Sequence, residues 1–210
     1  MIIDGKKIAD EILAGLGGQL RGTTLGIVMN AGDAATVSFV KIKTRVAERL
    51  GVHVTEYTPA DIAAALKECE AVVVQLPIDG ADALLAQVPQ NKDIDNYPQA
   101  PVAAAVAEIL ARAGVEPKNK KAVVVGEGAL VGKPVAQMLR AMGADVSVVS
   151  LERGSLDELK TADIVVSGAG SPGLIKPGML KPGVVLIDAG TSESAGKVVG
   201  DCDPSCAEVA

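Results

Sequence analysis

The chain has 210 residues, 49% hydrophobic and 1% aromatic, with a formal net charge of −6, a length that suits one large domain or two small ones. The acidic balance argues against a nucleic-acid partner, and the scarcity of aromatics removes any base-stacking platform. No apolar run is long enough to span a bilayer and the opening MIIDGKKIAD lacks a signal-peptide core, so the expected location is cytoplasmic, away from membranes.

Residues 6–20 read as a helix and 24–29 as a strand. NAGDAAT is a loop with capping candidates, and a helix over 36–50 follows, stopped by Gly51. A helical wheel gives this helix an apolar stripe of Phe39, Val40, Val46, Ala47 and Leu50, with Lys43 near its centre. Lys41, Arg45, Glu48 and Arg49 take the opposite face. Two readings of Lys43 follow. Its stem packs while the ammonium reaches water, or it loses hydration, its pKa falls, and it serves as a general base.

Residues 52–57 read as a second strand, 61–68 as a short helix, and 71–75 as a buried strand stopped at Pro77. A helix over 82–87 and the polar connection PQNKDIDNYPQAP come next, and Pro101 suits the first turn of a helix over 102–113. A second alternating unit has strands at 121–125, 145–149, 163–167 and 184–188 and helices at 132–142 and 155–160. The expected fold class is α/β: two domains, 1–100 and 101–210, the second a Rossmann-like parallel sheet, with a cleft between them and the 102–113 helix as hinge. Cys69, Cys202 and Cys206 read as free thiols, and the single histidine, His53, excludes a multi-histidine metal site, so no metal is expected.

KAVVVGEGALVGKP holds strand, glycine turn and helix start in the order a dinucleotide site requires. Gly126 and Gly128 permit a tight turn beside a pyrophosphate, and Gly132 permits close helix–strand contact. The spacing G-x-G-x-x-x-G is one residue longer than the usual fingerprint, so an ordinary glycine-rich turn stays open. A nucleoside-triphosphatase loop is excluded, because Glu127 and Pro134 stand where it needs glycine and Ser/Thr. Ser150 and Glu152 lie at the end of the next strand, where a carboxylate pairs with ribose hydroxyls. Glu127 and Glu152 would repel a 2′-phosphate, with Arg153 offsetting part of that charge.

Taken together, the segments resemble the bifunctional methylenetetrahydrofolate dehydrogenase/cyclohydrolase family. IIDGKKIADEI is similar to its start, and SFVKIKTRVAERLGV resembles its S-Y-V-x-x-K helix, with Lys43 at the catalytic lysine. VVVQLP resembles its V-Q-L-P strand end, with Gln75 at the glutamine that contacts the lysine. NKDIDN resembles K-D-V-D-G, with Asp95 at the aspartate that holds the pterin. VVVGEGALVGKP resembles the cofactor loop, and LKPGVVLIDAG and VVGDCD resemble the closing strand and G-D-V-D element.

The resemblance implies oxidation of methylene-tetrahydrofolate with NADP, the family default, or NAD, toward which Glu127 and Glu152 lean. It then implies hydrolysis of the methenyl product to 10-formyl-tetrahydrofolate. It assigns catalysis to Lys43, Gln75 and Asp95, adds Phe39 to the substrate site, and implies a homodimer through the second domain. The departures are Phe39 for tyrosine, Glu127-Gly128 for an Arg-Ser pair, Asn96 for glycine, and QAP for P-C-T-P. The family's P-V-P-G-G-V-G-P loop falls beyond Ala210. These departures leave two alternatives: a non-catalytic dinucleotide- or folate-binding relative, or a cyclohydrolase alone.

Overall fold

In the computed structural model, which describes residues 2–30, 32, 34–95, 100–150, 152–194 and 197–210, short runs of Val, Ile and Ala form the strands and amphipathic segments cover them. The chain divides into two compact units, Asp4–Pro98 and Gln99–Ala210, the latter including Met1–Ile3.

The Asp4–Pro98 unit opens with α1 (Gly5–Gly15), whose N-terminus is capped by the Asp4 carboxylate accepting from the Lys7 amide at 3.0 Å. The helix stops short of the expected residue 20. Gly17 and Gly18 follow it, and Gly18 takes φ +77°, a left-handed conformation that ends a helix at little cost. Then come β1 (Thr24–Val28), α2 (Ala34–Arg49), β2 (His53–Tyr57), α3 (Ile62–Glu68), β3 (Ala71–Val74) and α4 (Ala81–Leu85). The strands form a parallel sheet in the order β2-β1-β3, with Ile27 opposite Glu56 on one side and Val73 on the other. Alternate residues face opposite layers. Ile27 and Val73 pack with Val40 of α2, while Val28, Val72 and Val74 pack with Ile62 and Ala65 of α3.

The second unit contains α5 (Pro101–Arg112), β4 (Lys121–Val125), α6 (Gly132–Ala141), β5 (Asp145–Val149), β6 (Ile164–Ser167), β7 (Val185–Asp188) and the hairpin β8 (Ser192–Ser194)–β9 (Lys197–Val199). Pro101 occupies the first turn of α5, where its missing N–H costs nothing. The four long strands form a parallel sheet in the order β5-β4-β6-β7. Ala122 and Val124 face α5 and α6, packing on Val106, Leu110, Val135 and Leu139. Val123 and Val125 face the other way, onto Leu159, Ile175 and Cys206. Each fully buried leucine here contributes roughly 1.5–3 kcal/mol.

Two further elements differ from the sequence-based expectation. The 155–160 segment is a 3-10 helix, Leu156–Thr161, held by a capping box between Ser155 and Glu158. The β8–β9 hairpin was not anticipated; its strands are three residues each, with Val198 exposed. What positions a ligand is the strand order. The chain runs from β4 to β5 on one side and then from β5 back across β4 to β6 on the other, opening a crevice at the carboxyl ends of these strands.

Candidate functional site

Lys43 lies on α2 along the same line as Thr36, Val40 and Ala47, which are buried. Its own side chain is 33% exposed, and the ammonium donates to Asp95 Oδ2 at 2.8 Å. Of the two readings of Lys43, this geometry fits the packed stem with its ammonium at water, and the ammonium also has a counter-ion. Phe39, expected in the apolar stripe and at the substrate site, lies at the edge of the stripe and is 57% exposed. Its ring is one turn before Lys43, within reach on the same helix surface.

Asp95 belongs to an irregular strap tied to β3. The Val72 amide donates to the Lys92 carbonyl at 2.8 Å, and Asp93 bridges Val72. Lys92 donates to the carbonyls of Leu66 and Cys69, at 2.7 and 2.6 Å, supplying positive charge to the carboxyl end of α3. The Asp95 amide donates to Asp93 Oδ1 at 3.2 Å. These ties aim the Asp95 carboxylate at Lys43, 52 residues away in sequence.

Gln75 extends β3, its amide donating to Val28 O at 2.8 Å. Its side-chain nitrogen donates to Leu76 O at 2.8 Å, not to a partner on α2. Its Oε1 is buried and has no hydrogen-bond partner among the described residues. The expected Gln75–Lys43 contact is therefore not formed, and the lysine pairs with Asp95 instead. A buried acceptor without a donor is costly to folding, by roughly 1–3 kcal/mol, and marks a place that a donor can occupy. Asn96 lies outside the described residues.

In the second unit, a cavity of about 460 Å³ opens at the carboxyl ends of β4 and β5. Gly126, Glu127, Gly128, Ser150 and Glu152 all line it. Gly126 takes φ +104°, and a Cβ there would lie 2.6 Å from Gly168 O. A Cβ on Gly132 would overlap the Gly126 carbonyl, so this glycine brings α6 against the turn instead of lining the cavity. Val131 gives α6 no capping side chain; the Lys133 amide donates to Gly128 O at 3.1 Å and Pro134 has no N–H, so the first turn leaves the Gly132 amide for an anion. This cradle fits a dinucleotide: a glycine turn for the pyrophosphate, and carboxylates past the ends of β4 (Glu127) and β5 (Glu152) for a ribose.

Glu127 is fixed from both sides. Oε2 accepts from the Ser150 hydroxyl at 2.9 Å, and Oε1 pairs with the Arg153 guanidinium. Ala169, Ser171, Leu156 and Leu174 also line the cavity and were not anticipated. The sequence signal for Ala169 and Ser171 is the glycine-rich SGAGS after β6; the two leucines carry none beyond hydrophobicity. Cys202 and Cys206 are free, and burial raises the pKa of both thiols, so they are poor nucleophiles.

The tetrahydrofolate dehydrogenase/cyclohydrolase NAD(P)-binding domain profile matches residues 100–210, over half of the chain and including the whole cavity. The bifunctional protein FolD of Halothermothrix orenii is 34% identical over 241 residues, covering 96% of this chain and 85% of that protein. The chain belongs to this family. The aligned span exceeds the chain's own 210 residues, so the H. orenii relative carries internal segments that this family member lacks. Among solved structures, the Trypanosoma brucei FolD complexed with NADP and an inhibitor is 27% identical with a TM-score of 0.87, covering 100% of this chain and 86% of that one. The Campylobacter jejuni FolD, 24% identical, shares the fold at a TM-score of 0.90 over 98% of this chain and 87% of that one.

Proposed function

We propose that the protein oxidises methylene-tetrahydrofolate to methenyl-tetrahydrofolate with a nicotinamide cofactor and hydrolyses the product to 10-formyl-tetrahydrofolate. The observation that carries this reading is the 2.8 Å pairing of Lys43 with Asp95, at a face that also exposes Phe39. One Asp95 oxygen holds the ammonium. The other accepts N–H groups of a pterin, a pairing that suits a carboxylate. Phe39 offers the stacking face, its missing hydroxyl being irrelevant to that role.

A pterin bound to Asp95 competes with the ion pair and frees Lys43 toward the folate nitrogens, with the unpartnered Gln75 Oε1 as its alternative acceptor. The nicotinamide, when bound, supplies the hydride acceptor for the methylene carbon. In the hydrolytic half, water adds to the methenyl carbon. One of its protons leaves to solvent and the other moves to N5 as the C–N5 bond breaks, with Lys43 relaying protons.

The turn at Gly126–Gly128 would hold the pyrophosphate, with Gly132 keeping α6 close and Glu127, Ser150 and Glu152 at the adenosine ribose. Two acids and no base line the described cavity, and Glu127 occupies Arg153, so the reading includes a preference for NAD over NADP. It also includes a cytoplasmic homodimer formed through the second unit. Among the described residues no helix is long and apolar enough to cross a membrane.

The test is Lys43→Met, assayed by the absorbance of methenyl-tetrahydrofolate. Hydrolysis should fall by at least about 100-fold, with NAD binding unchanged. An undiminished rate overturns the assignment.

A further inference from the structure

Two residues of the cavity wall after β6, Ala169 and Ser171, have their backbone held by a single buried carboxylate. Asp201 is fully buried. Its Oδ2 accepts from the Ser167 hydroxyl at 2.6 Å and the Ala169 amide at 2.7 Å, and its Oδ1 accepts from the Ser171 amide at 2.7 Å. Ala169 and Ser171 both line the cavity; Asp201 does not. A carboxylate taken out of water and met by three donors holds them with charge-assisted bonds.

Asp201 is itself fixed by Asp188 at the end of β7. Asp188 Oδ1 accepts the Asp201 amide at 3.1 Å and its Oδ2 accepts the Cys202 amide at 2.9 Å. The glycines beside these acids have a steric reason. A Cβ on Gly190 would overlap the Asp201 carboxylate, and one on Gly200 would overlap that of Asp188. The two acids and two glycines form one device whose output is the course of residues 168–171.

The strand order says which part of a dinucleotide meets that output. β5 lies on one side of β4 and β6 on the other. With the adenosine ribose at Ser150 and Glu152 and the pyrophosphate at the β4 turn, the remaining half extends over β6. We propose that Asp201 is a positioning residue for the nicotinamide half of the cofactor. It touches no ligand and acts by holding the Ala169 and Ser171 backbone against the ring and its ribose. This inference rests on the dinucleotide reading given above.

The experiment is calorimetric binding of NAD and, separately, ADP to the full chain and to Asp201→Asn. The asparagine keeps the shape but turns one acceptor into a donor. NAD should bind about tenfold more weakly, the scale of one lost hydrogen bond to a charged group, while ADP affinity stays the same. Unchanged NAD affinity, or NAD and ADP weakening in parallel, overturns the proposal. Parallel loss would mean general loosening of the unit. Should Asp201→Asn fail to fold, Ser167→Ala removes only the hydroxyl donor. It should show the same selective loss at about threefold, and its absence likewise overturns the role. A wild-type chain that binds neither NAD nor ADP would refute the dinucleotide reading itself, an outcome distinct from failure of the Asp201 role.

Discussion

The lysine site and the dinucleotide cavity are built by opposite means. At Lys43 the chemistry is in side chains, half-exposed and brought together from α2 and a strap tied to β3. In the cavity it is in backbone shape, with glycines at 126 and 132 placed where a Cβ would collide with a carbonyl. The first arrangement tolerates changes around it but not of the residues themselves. The second tolerates little added volume at 126 and 132, while a Cβ at Gly128 would meet nothing.

The largest effect should come from adding volume to the turn. In Gly132→Ala the new methyl meets a backbone oxygen that no rotamer change can move. Dehydrogenase turnover should disappear and the second unit should lose about 1–3 kcal/mol on denaturant titration, while methenyl hydrolysis persists. Loss of both activities together would break the contrast between the two sites.

Asp95→Asn tests the side-chain site in the same way. It removes the anion but not the volume, so the folate KM should rise by about 30-fold, the scale of a charged hydrogen bond. NAD affinity should not change. An unaltered KM would remove Asp95 from the substrate site.

A smaller effect should follow Glu127→Gln, which frees Arg153 from its ion pair. The NADP-to-NAD ratio of kcat/KM should rise by about tenfold, equivalent to one recovered charge contact of about 1.4 kcal/mol. A wild-type chain that already prefers NADP strongly would contradict the role given to Glu127.

The smallest concerns acid stability and touches neither site. Bonds from the Ser205 hydroxyl and amide, then the Lys176 ammonium, hold Asp203 down from its ordinary 3.8 to about 2. Its folded pKa lies below its unfolded one. The stabilisation is therefore complete above about pH 4 and lost as pH falls toward 2. Asp203→Asn should flatten the melting-temperature profile in that window and lower it above. An unchanged profile would show that the carboxylate contributes nothing there.

The same contrast governs what the sequence made legible. β4 and β5 match their expected bounds, because the valine-rich runs KAVVV and DVSVV between turn residues have few other outcomes. The glycine turn was legible because steric demands are written in residue type. Lys43's place on the buried line of α2 followed from periodicity, but its partner did not. A side-chain contact across 52 residues has no local signature, so the lysine was matched to Gln75 and found on Asp95. Phe39 was placed both in the apolar stripe and at the substrate site, and the stripe's edge is where its ring remains exposed. The β8–β9 strands are too short to show alternation. Asp201 carried no role beyond its place in VVGDCD, because the three donors that make its burial tolerable are scattered over 167–171.

All four parallel strands of the second unit point their carboxyl ends toward one rim, where the cavity lined by Gly126 and Ser150 opens. Gly114, Lys118, Lys120 and Gly183 line a depression at the opposite rim, on the turns that enter the strands. A dye, tether or grafted peptide attached on that side would report on the enzyme without standing in the path of anything it handles.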